Sequence, residues 1–234
     1  MLPLKDNVPT RTFPIVTVGI IVVNVIVWFW EVRGTPVDED VIHYGYYPCK
    51  LDAPCTGPAL HAQIPWYENT FTSMFMHGGW AHIGFNMLFL WIFGNNVEDA
   101  LGKARFFLWY IAGGLAATAV QTFVTLQFGS AQDASVPNIG ASGAIAAVLG
   151  AYFVLLPNAR VLTAIFFILI FFQDLPAVLF LGLWFLFQLW QGGFSLVQPQ
   201  AGGGVAFFAH IGGFLFGVLT VHFVARRRPL MPTY

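Results

Sequence analysis

Ser142 and His210 lie far apart in the chain, each inside a run of apolar residues. A serine hydroxyl is a poor nucleophile until a base takes its proton, and imidazole, titrating near pH 6.5, is the usual base. Ser142 sits in Gly140-Ala141-Ser142-Gly143-Ala144-Ile145-Ala146-Ala147-Val148-Leu149-Gly150, a stretch made largely of Gly and Ala. His82 and Asn86 are four residues apart, one helical turn, so they share a helix face. An imidazole N–H and an Asn amide both donate hydrogen bonds, and the tetrahedral intermediate of acyl transfer needs such donors at its oxyanion. The backbone N–H of Ser142, at the positive end of a helix, would be a third. Triads add a carboxylate that orients the imidazole. No Asp or Glu falls inside any of the apolar runs, so the expected unit is a dyad whose imidazole is held by packing. His77 could shape a cavity or feed it water, and is read here as interfacial. His222, near the inner end of its run, carries no chemistry.

These residues must be positioned by membrane helices. The 234 residues are 57% hydrophobic and 9% charged, whereas a soluble domain is about 25% charged. Six apolar runs, at 14–30, 71–93, 106–126, 140–156, 175–190 and 205–224, approach the roughly 20 residues that cross a bilayer. The run 161–172 is too short to cross; it either lies at the interface or lengthens the next helix. No small-residue cleavage site follows the first run, so it reads as a retained helix. Lys5, Arg11, Lys103, Arg105, Arg160 and Arg226–Arg228 fall on one side, against Arg33 and Lys50 on the other. By the positive-inside rule both ends, 1–13 and 225–234, are cytoplasmic and the first loop, 32–69, is external. Ser142, His82, Asn86 and His210 then all come to the outer half of the membrane. Gly213 and Gly217 form a GxxxG pair on the His210 face, and Gly143, Ala147 and Gly150 form a matching small stripe beside Ser142. Two such faces permit close helix approach.

Gly140-Ala141-Ser142-Gly143, His82-Ile83-Gly84-Phe85-Asn86 and Ala209-His210-Ile211-Gly212-Gly213-Phe214-Leu215-Phe216-Gly217 together resemble the rhomboid intramembrane serine proteases. The likeness extends to Met76-His77-Gly78-Gly79-Trp80 and to Phe93-Gly94-Asn95-Asn96-Val97-Glu98-Asp99, and so covers nearly the whole chain. It implies an all-α, six-transmembrane-helix bundle, with 1–234 as one membrane domain. It implies a Ser142–His210 dyad, an oxyanion site from His82, Asn86 and the Ser142 N–H, and secondary roles for His77, Gly140 and Gly143 in the cavity. The implied reaction is hydrolysis of a peptide bond in or near the transmembrane segment of a membrane-protein substrate. No metal or other cofactor is implied. The compact six-span form and short termini point to a multi-pass protein of a bacterial cell membrane, and the basic-residue bias has its active site opening to the external side. In such proteins the fifth helix and the loop before the sixth, here about 175–204, act as gate and cap, and Gly192-Gly193 and Gly202–Gly204 suit a moving cap. Two departures stand out. Many members carry an aromatic one turn after the serine, stacked on the imidazole, where this chain has Ala146. Some carry a Trp-Arg pair in the first loop, where this chain has Trp66-Tyr67-Glu68.

Other readings have their own support. A non-catalytic relative that binds membrane helices for quality control would explain Ala146. A small transporter or haem protein would use two intramembrane histidines, but the runs lack carboxylates for proton coupling and show no inverted repeat. Cys49 and Cys55 are either a local disulfide or two free thiols; a zinc site would need more ligands than His43 and His61 supply. No basic patch with interleaved aromatics suggests nucleic acid. The Glu98–Arg105 stretch reads as a solvated turn. The sequence leaves the oligomeric state open.

Overall fold

A computed structural model describes residues 1–33, 37–166, 169–197 and 206–232. The chain begins with strand β1 (Leu2–Asp6) and helix α1 (Ile15–Glu31). A long connection follows, carrying the short helices α2 (Val37–Tyr44), α3 (Cys49–Asp52) and α4 (Trp66–Thr72). Then come α5 (Trp80–Leu101), α6 (Lys103–Phe128), α7 (Ala131–Ala134) and α8 (Ser142–Leu155). Strands β2 (Arg160–Phe166) and β3 (Ile170–Pro176) lead into α9 (Ala177–Val197) and α10 (Phe207–Val224). Among the described residues, three helices are long and apolar enough to cross a membrane: Lys103–Phe128, Ala177–Leu196 and Phe207–Val224. Ile15–Glu31 and Ser142–Leu155 are shorter apolar helices.

At 14 residues α8 is about 21 Å long, less than the hydrocarbon thickness. It is nevertheless the centre of the molecule. Every residue from Gly143 to Tyr152 is buried, as expected of a helix that is apolar all round. Its tightest neighbour is α10. A Cβ on Gly217 would overlap the Ala147 carbonyl oxygen, one on Gly213 the Gly143 carbonyl, and one on Gly150 the Phe214 carbonyl. The two small-residue stripes therefore meet backbone to backbone, as their spacing requires. Gly143 also faces Ala117 of α6, where a Cβ would come within 2.7 Å.

Three expectations need correction. The second run was placed at 71–93, but the helix is Trp80–Leu101, and what precedes it is α4 and a single 3-10 turn. The Glu98–Arg105 stretch is solvated only in part: Lys103 and Arg105 are exposed, but its acidic half is not. Glu98 and Asp99 lie in the last turns of α5, only 3% and 6% exposed. Glu98 accepts hydrogen bonds from the Val16 and Thr17 N–H groups and from Thr17 Oγ1, at 3.1, 2.7 and 2.8 Å. It thus satisfies donors at the N-terminus of α1, which lacks a capping side chain of its own. Asp99 pairs with Arg11 at 2.8 Å. A charge-rich stretch reads as loop in sequence because carboxylates are rarely buried; here Glu98 is satisfied by the N-terminal N–H groups of α1 and Asp99 by Arg11.

The third correction concerns 161–172 and the all-α class. Apart from 167 and 168, which lie outside the described residues, the segment does not lengthen α9. β2 and β3 pair as an antiparallel hairpin, and β1 adds to its edge, giving a three-stranded sheet in the order β1-β2-β3. The run is short, rich in β-branched and aromatic residues, and bounded by Pro157 and Pro176, which favours strand over helix.

Asp6 ends β1 beneath the bundle. Its carboxyl accepts from Tyr152 Oη and from Asn96 Nδ2. Burial dominates these bonds and pushes its pKa from the usual 3.8 up to about 6. An acid whose folded pKa lies above its unfolded value favours folding most when protonated. This contribution is full below about pH 4, falls between pH 4 and 6, and is flat above that. The expected loss is about 3 kcal/mol at most. Thermal midpoints at pH 4.5 and 7 should differ more for the wild type than for Asp6→Asn; equal slopes would refute this.

Candidate active site

Gly140 has φ +112°, a conformation that L side chains rarely adopt. Its N–H donates to the Ser73 carbonyl at 2.8 Å. This turn delivers the chain into α8 with Ser142 as its first helical residue. The first intrahelical bond there is from Ile145 N to Ala141 O, so the Ser142 N–H belongs to the first turn, whose donors have no intrahelical acceptor. His210 lies in the first turn of α10. Because Gly213 and Gly217 hold α10 against α8, His210 Nε2 lies 2.8 Å from Ser142 Oγ. The imidazole is therefore within reach to take the hydroxyl proton.

His82 and Asn86 face this pair from α5. The Gly78 N–H donates to His82 Nδ1 at 3.3 Å. A ring that accepts at Nδ1 carries its proton on Nε2. That Nε2 lies against Gly140: a Cβ built there would come within 2.6 Å of it and 3.6 Å of Asn86 Nδ2. Gly140 is thus required twice, for its backbone conformation and for the space beside His82. Asn86 is 7% exposed, and its Nδ2 has no hydrogen-bond partner among the described residues. A buried amide donor left unsatisfied costs about 1–3 kcal/mol, so it is poised to donate to a ligand oxygen. Two N–H donors therefore converge beside the start of α8.

His77 is not interfacial. It lies in the loop before α5, fully buried. Its backbone N–H donates to both carboxylate oxygens of Glu31, at 3.1 and 3.3 Å. Its Nδ1 meets the Phe75 carbonyl at 3.1 Å, and its ring stands edge-on to His82 with centroids 5.0 Å apart. It braces His82 from behind. Glu31 itself, fully buried at the end of α1, is a carboxylate that the apolar runs did not include.

The base is not held by packing alone. His210 Nδ1 is 2.8 Å from Gln188 Oε1, and Gln188, on α9, is 5% exposed. The Trp184 ring, one turn earlier on α9, lies 5.8 Å from the imidazole at an interplanar angle of 37°. Ala146 is fully buried, close to Gly213, so the aromatic missing from α8 is replaced from α9. A glutamine in an apolar helix is a visible anomaly in the sequence, but nothing there says which ring it meets.

A cavity of about 590 Å³ opens over these groups, lined by the polar Ser142, His210, His82 and Asn86 and by apolar residues such as Phe89 and Leu149. That volume is within the usual range for a ligand site. Behind Ser142 a second pocket of about 30 Å³ is bordered by Ser73, Thr118, Gln121 and Asn138, large enough for one water. The first loop is held together, and tied to Asn138 beside the cavity, without a Trp-Arg pair. Cys49 and Cys55 are joined in a disulfide, Asn69 Nδ2 donates to the Gly45 carbonyl at 2.8 Å, and Tyr46 pairs with Asn138, N–H to carbonyl in both directions, at 3.2 and 2.7 Å. Of the expected cap, Gly192 and Gly193 belong to α9, and Gly202–Gly204 lie outside the described residues. Among the described residues no group of three or more His, Cys, Asp or Glu side chains could hold a metal.

A family model described as Rhomboid domain matches residues 65–227. The chain is 31% identical to Rhomboid protein 1, mitochondrial, of Saccharomyces cerevisiae over 163 residues, covering 66% of this chain and 41% of that one. It is 38% identical to Rhomboid protease GluP of Bacillus subtilis over 103 residues, covering 44% of this chain and 18% of that protein. It is 30% identical to the human Presenilin-associated rhomboid-like protein, mitochondrial, over 152 residues, covering 62% and 35%. The aligned part is less than half the length of each of these relatives.

Proposed function

The chain belongs to the rhomboid family, and from that premise we propose that it is an intramembrane serine endopeptidase acting on transmembrane protein substrates. The observation that carries the proposal is the 2.8 Å contact between His210 Nε2 and Ser142 Oγ inside a cavity also lined by His82 and Asn86. Ser142 Oγ attacks the scissile carbonyl carbon while its proton passes to His210 Nε2. The oxyanion accepts hydrogen bonds from His82 Nε2–H, Asn86 Nδ2–H and the Ser142 N–H. Collapse of the intermediate breaks the C–N bond, and His210 returns the proton to the leaving amine. Water then attacks the acyl-serine with His210 again as base, releasing the carboxylate product and restoring the hydroxyl. The pocket behind Ser142 supports a local source of that water.

The same reading takes α1, α5, α6, α8, α9 and α10 as six membrane helices of one domain. The excess of basic residues then puts both described ends on one side and the Cys49–Cys55 loop on the other. A disulfide fits an oxidising compartment there. The binding-only reading rested on Ala146, and the Trp184 ring against His210 supplies the contact that Ala146 omits, which favours the enzyme.

Purified protein in proteoliposomes should cleave a reporter transmembrane segment, and Ser142→Ala should leave no cleavage; activity surviving that change would sink the assignment. Asn86→Ala should lower kcat about 10²-fold while KM stays within about twofold, because its donor is used as charge develops on the oxygen. A rise in KM alone would instead make Asn86 a substrate-binding group.

A further inference from the structure

His210 is fixed by a helix other than its own. Three observations bear on how. Gln188 Oε1 is 2.8 Å from Nδ1, on the side of the ring opposite the Nε2 contact to Ser142. The other end of the same amide, Nε2, faces the Trp184 carbonyl at 3.5 Å. Gln188 is buried in an otherwise apolar part of α9. The orientation of a side-chain amide follows from its neighbours. A carbonyl oxygen tolerates an N–H beside it and repels another oxygen, so the nitrogen belongs toward Trp184 and the oxygen toward His210. An amide oxygen only accepts. The imidazole must therefore carry its proton on Nδ1, leaving the Nε2 lone pair facing Ser142 Oγ.

We infer that Gln188 is a positioning residue that fixes the His210 tautomer competent to act as base. This rests on the serine protease reading given above. It performs, without a charge, the orienting part of the task that a carboxylate performs in a triad. A neutral amide suits a site in a membrane helix, where a carboxylate would be costly. Trp184, one turn away, limits ring tilt, so both restraints on the base come from α9, while its covalent anchor is α10. A helix rotation that moved Gln188 off Nδ1 would also free the ring face.

The test compares wild type, Gln188→Leu and Gln188→Glu in detergent micelles. Leu keeps the volume and removes the acceptor; Glu keeps the acceptor. Gln188→Leu should lower kcat roughly 10- to 100-fold, the size of a misplaced general base, with KM within about twofold, and Gln188→Glu should restore most of it. Independently of activity, ¹⁵N-histidine spectra should show the hydrogen-bonded Nδ1–H of His210, identified by its absence in His210→Ala, lost in Gln188→Leu and kept in Gln188→Glu. An Nδ1–H signal unchanged in Gln188→Leu overturns the inference, as does a kcat loss equal in both variants. If the wild type cleaves no substrate, the protease reading fails, yet the spectra still decide whether Gln188 sets the tautomer.

Discussion

Replacing His210 by alanine is expected to reduce kcat by about 10³-fold or more and to leave KM within about twofold of the wild type. Without an acceptor 2.8 Å from its oxygen, the Ser142 hydroxyl keeps its proton at neutral pH. The residual rate would come from the oxyanion donors and from substrate binding in the cavity, which this change does not touch. The thermal midpoint should move by only a few degrees, because the side chain lies beside the cavity and its close neighbour Gly213 is untouched. Single-turnover cleavage alongside a melting curve separates the chemical loss from unfolding. Near-normal turnover in a folded His210→Ala protein would refute the dyad.

The second large effect concerns packing. Gly217→Val would drive a branched side chain into the Ala147 carbonyl across the α8–α10 contact, where even a Cβ has no room. Overpacking a close-packed interface costs roughly 1–3 kcal/mol and occasionally more, and here the obstacle is backbone, which yields least. Separation of the two helices would also withdraw His210 from Ser142, so stability and activity should fall together. Gly193→Ala is the matched control: a Cβ there meets nothing within 4 Å, and the change should be neutral or slightly stabilising. Equal melting points for Gly217→Val and the control would contradict the close-approach account.

What the sequence disclosed divides along the range of the forces involved. Ser142, His210, His82 and Asn86 could be grouped from sequence because His82 and Asn86 stand one turn apart on a single helix and Ser142 and His210 each adjoin a stripe of small residues. The Gly213–Gly217 stripe was legible for the same reason. What stayed hidden depends on helix rotation and on neighbours remote in sequence. Gln188 is an evident polar residue in an apolar helix, yet only the rotation of α9 aims it at His210. Ala146 looked like a missing contact because the replacement, Trp184, comes from another helix. Glu98 and Asp99 read as solvated because their partners, the N-terminal turn of α1 and Arg11, lie far away in sequence. His77 looked interfacial because Glu31, which receives its N–H, falls just beyond an apolar run. The short run 161–172 was ambiguous because a short apolar run has no period that separates strand from helix, and the strand that adds to its hairpin, β1, lies far away in sequence.

Catalysis by this site requires that Ser142 be a nucleophile activated by His210. Covalent labelling of the purified protein with a fluorophosphonate, followed by peptide mass mapping, tests this most directly. The adduct should fall on Ser142 alone, and should form at least about 10²-fold more slowly in His210→Ala. Labelling on another residue, or undiminished cleavage of the reporter by protein in which Ser142 is fully modified, would contradict it.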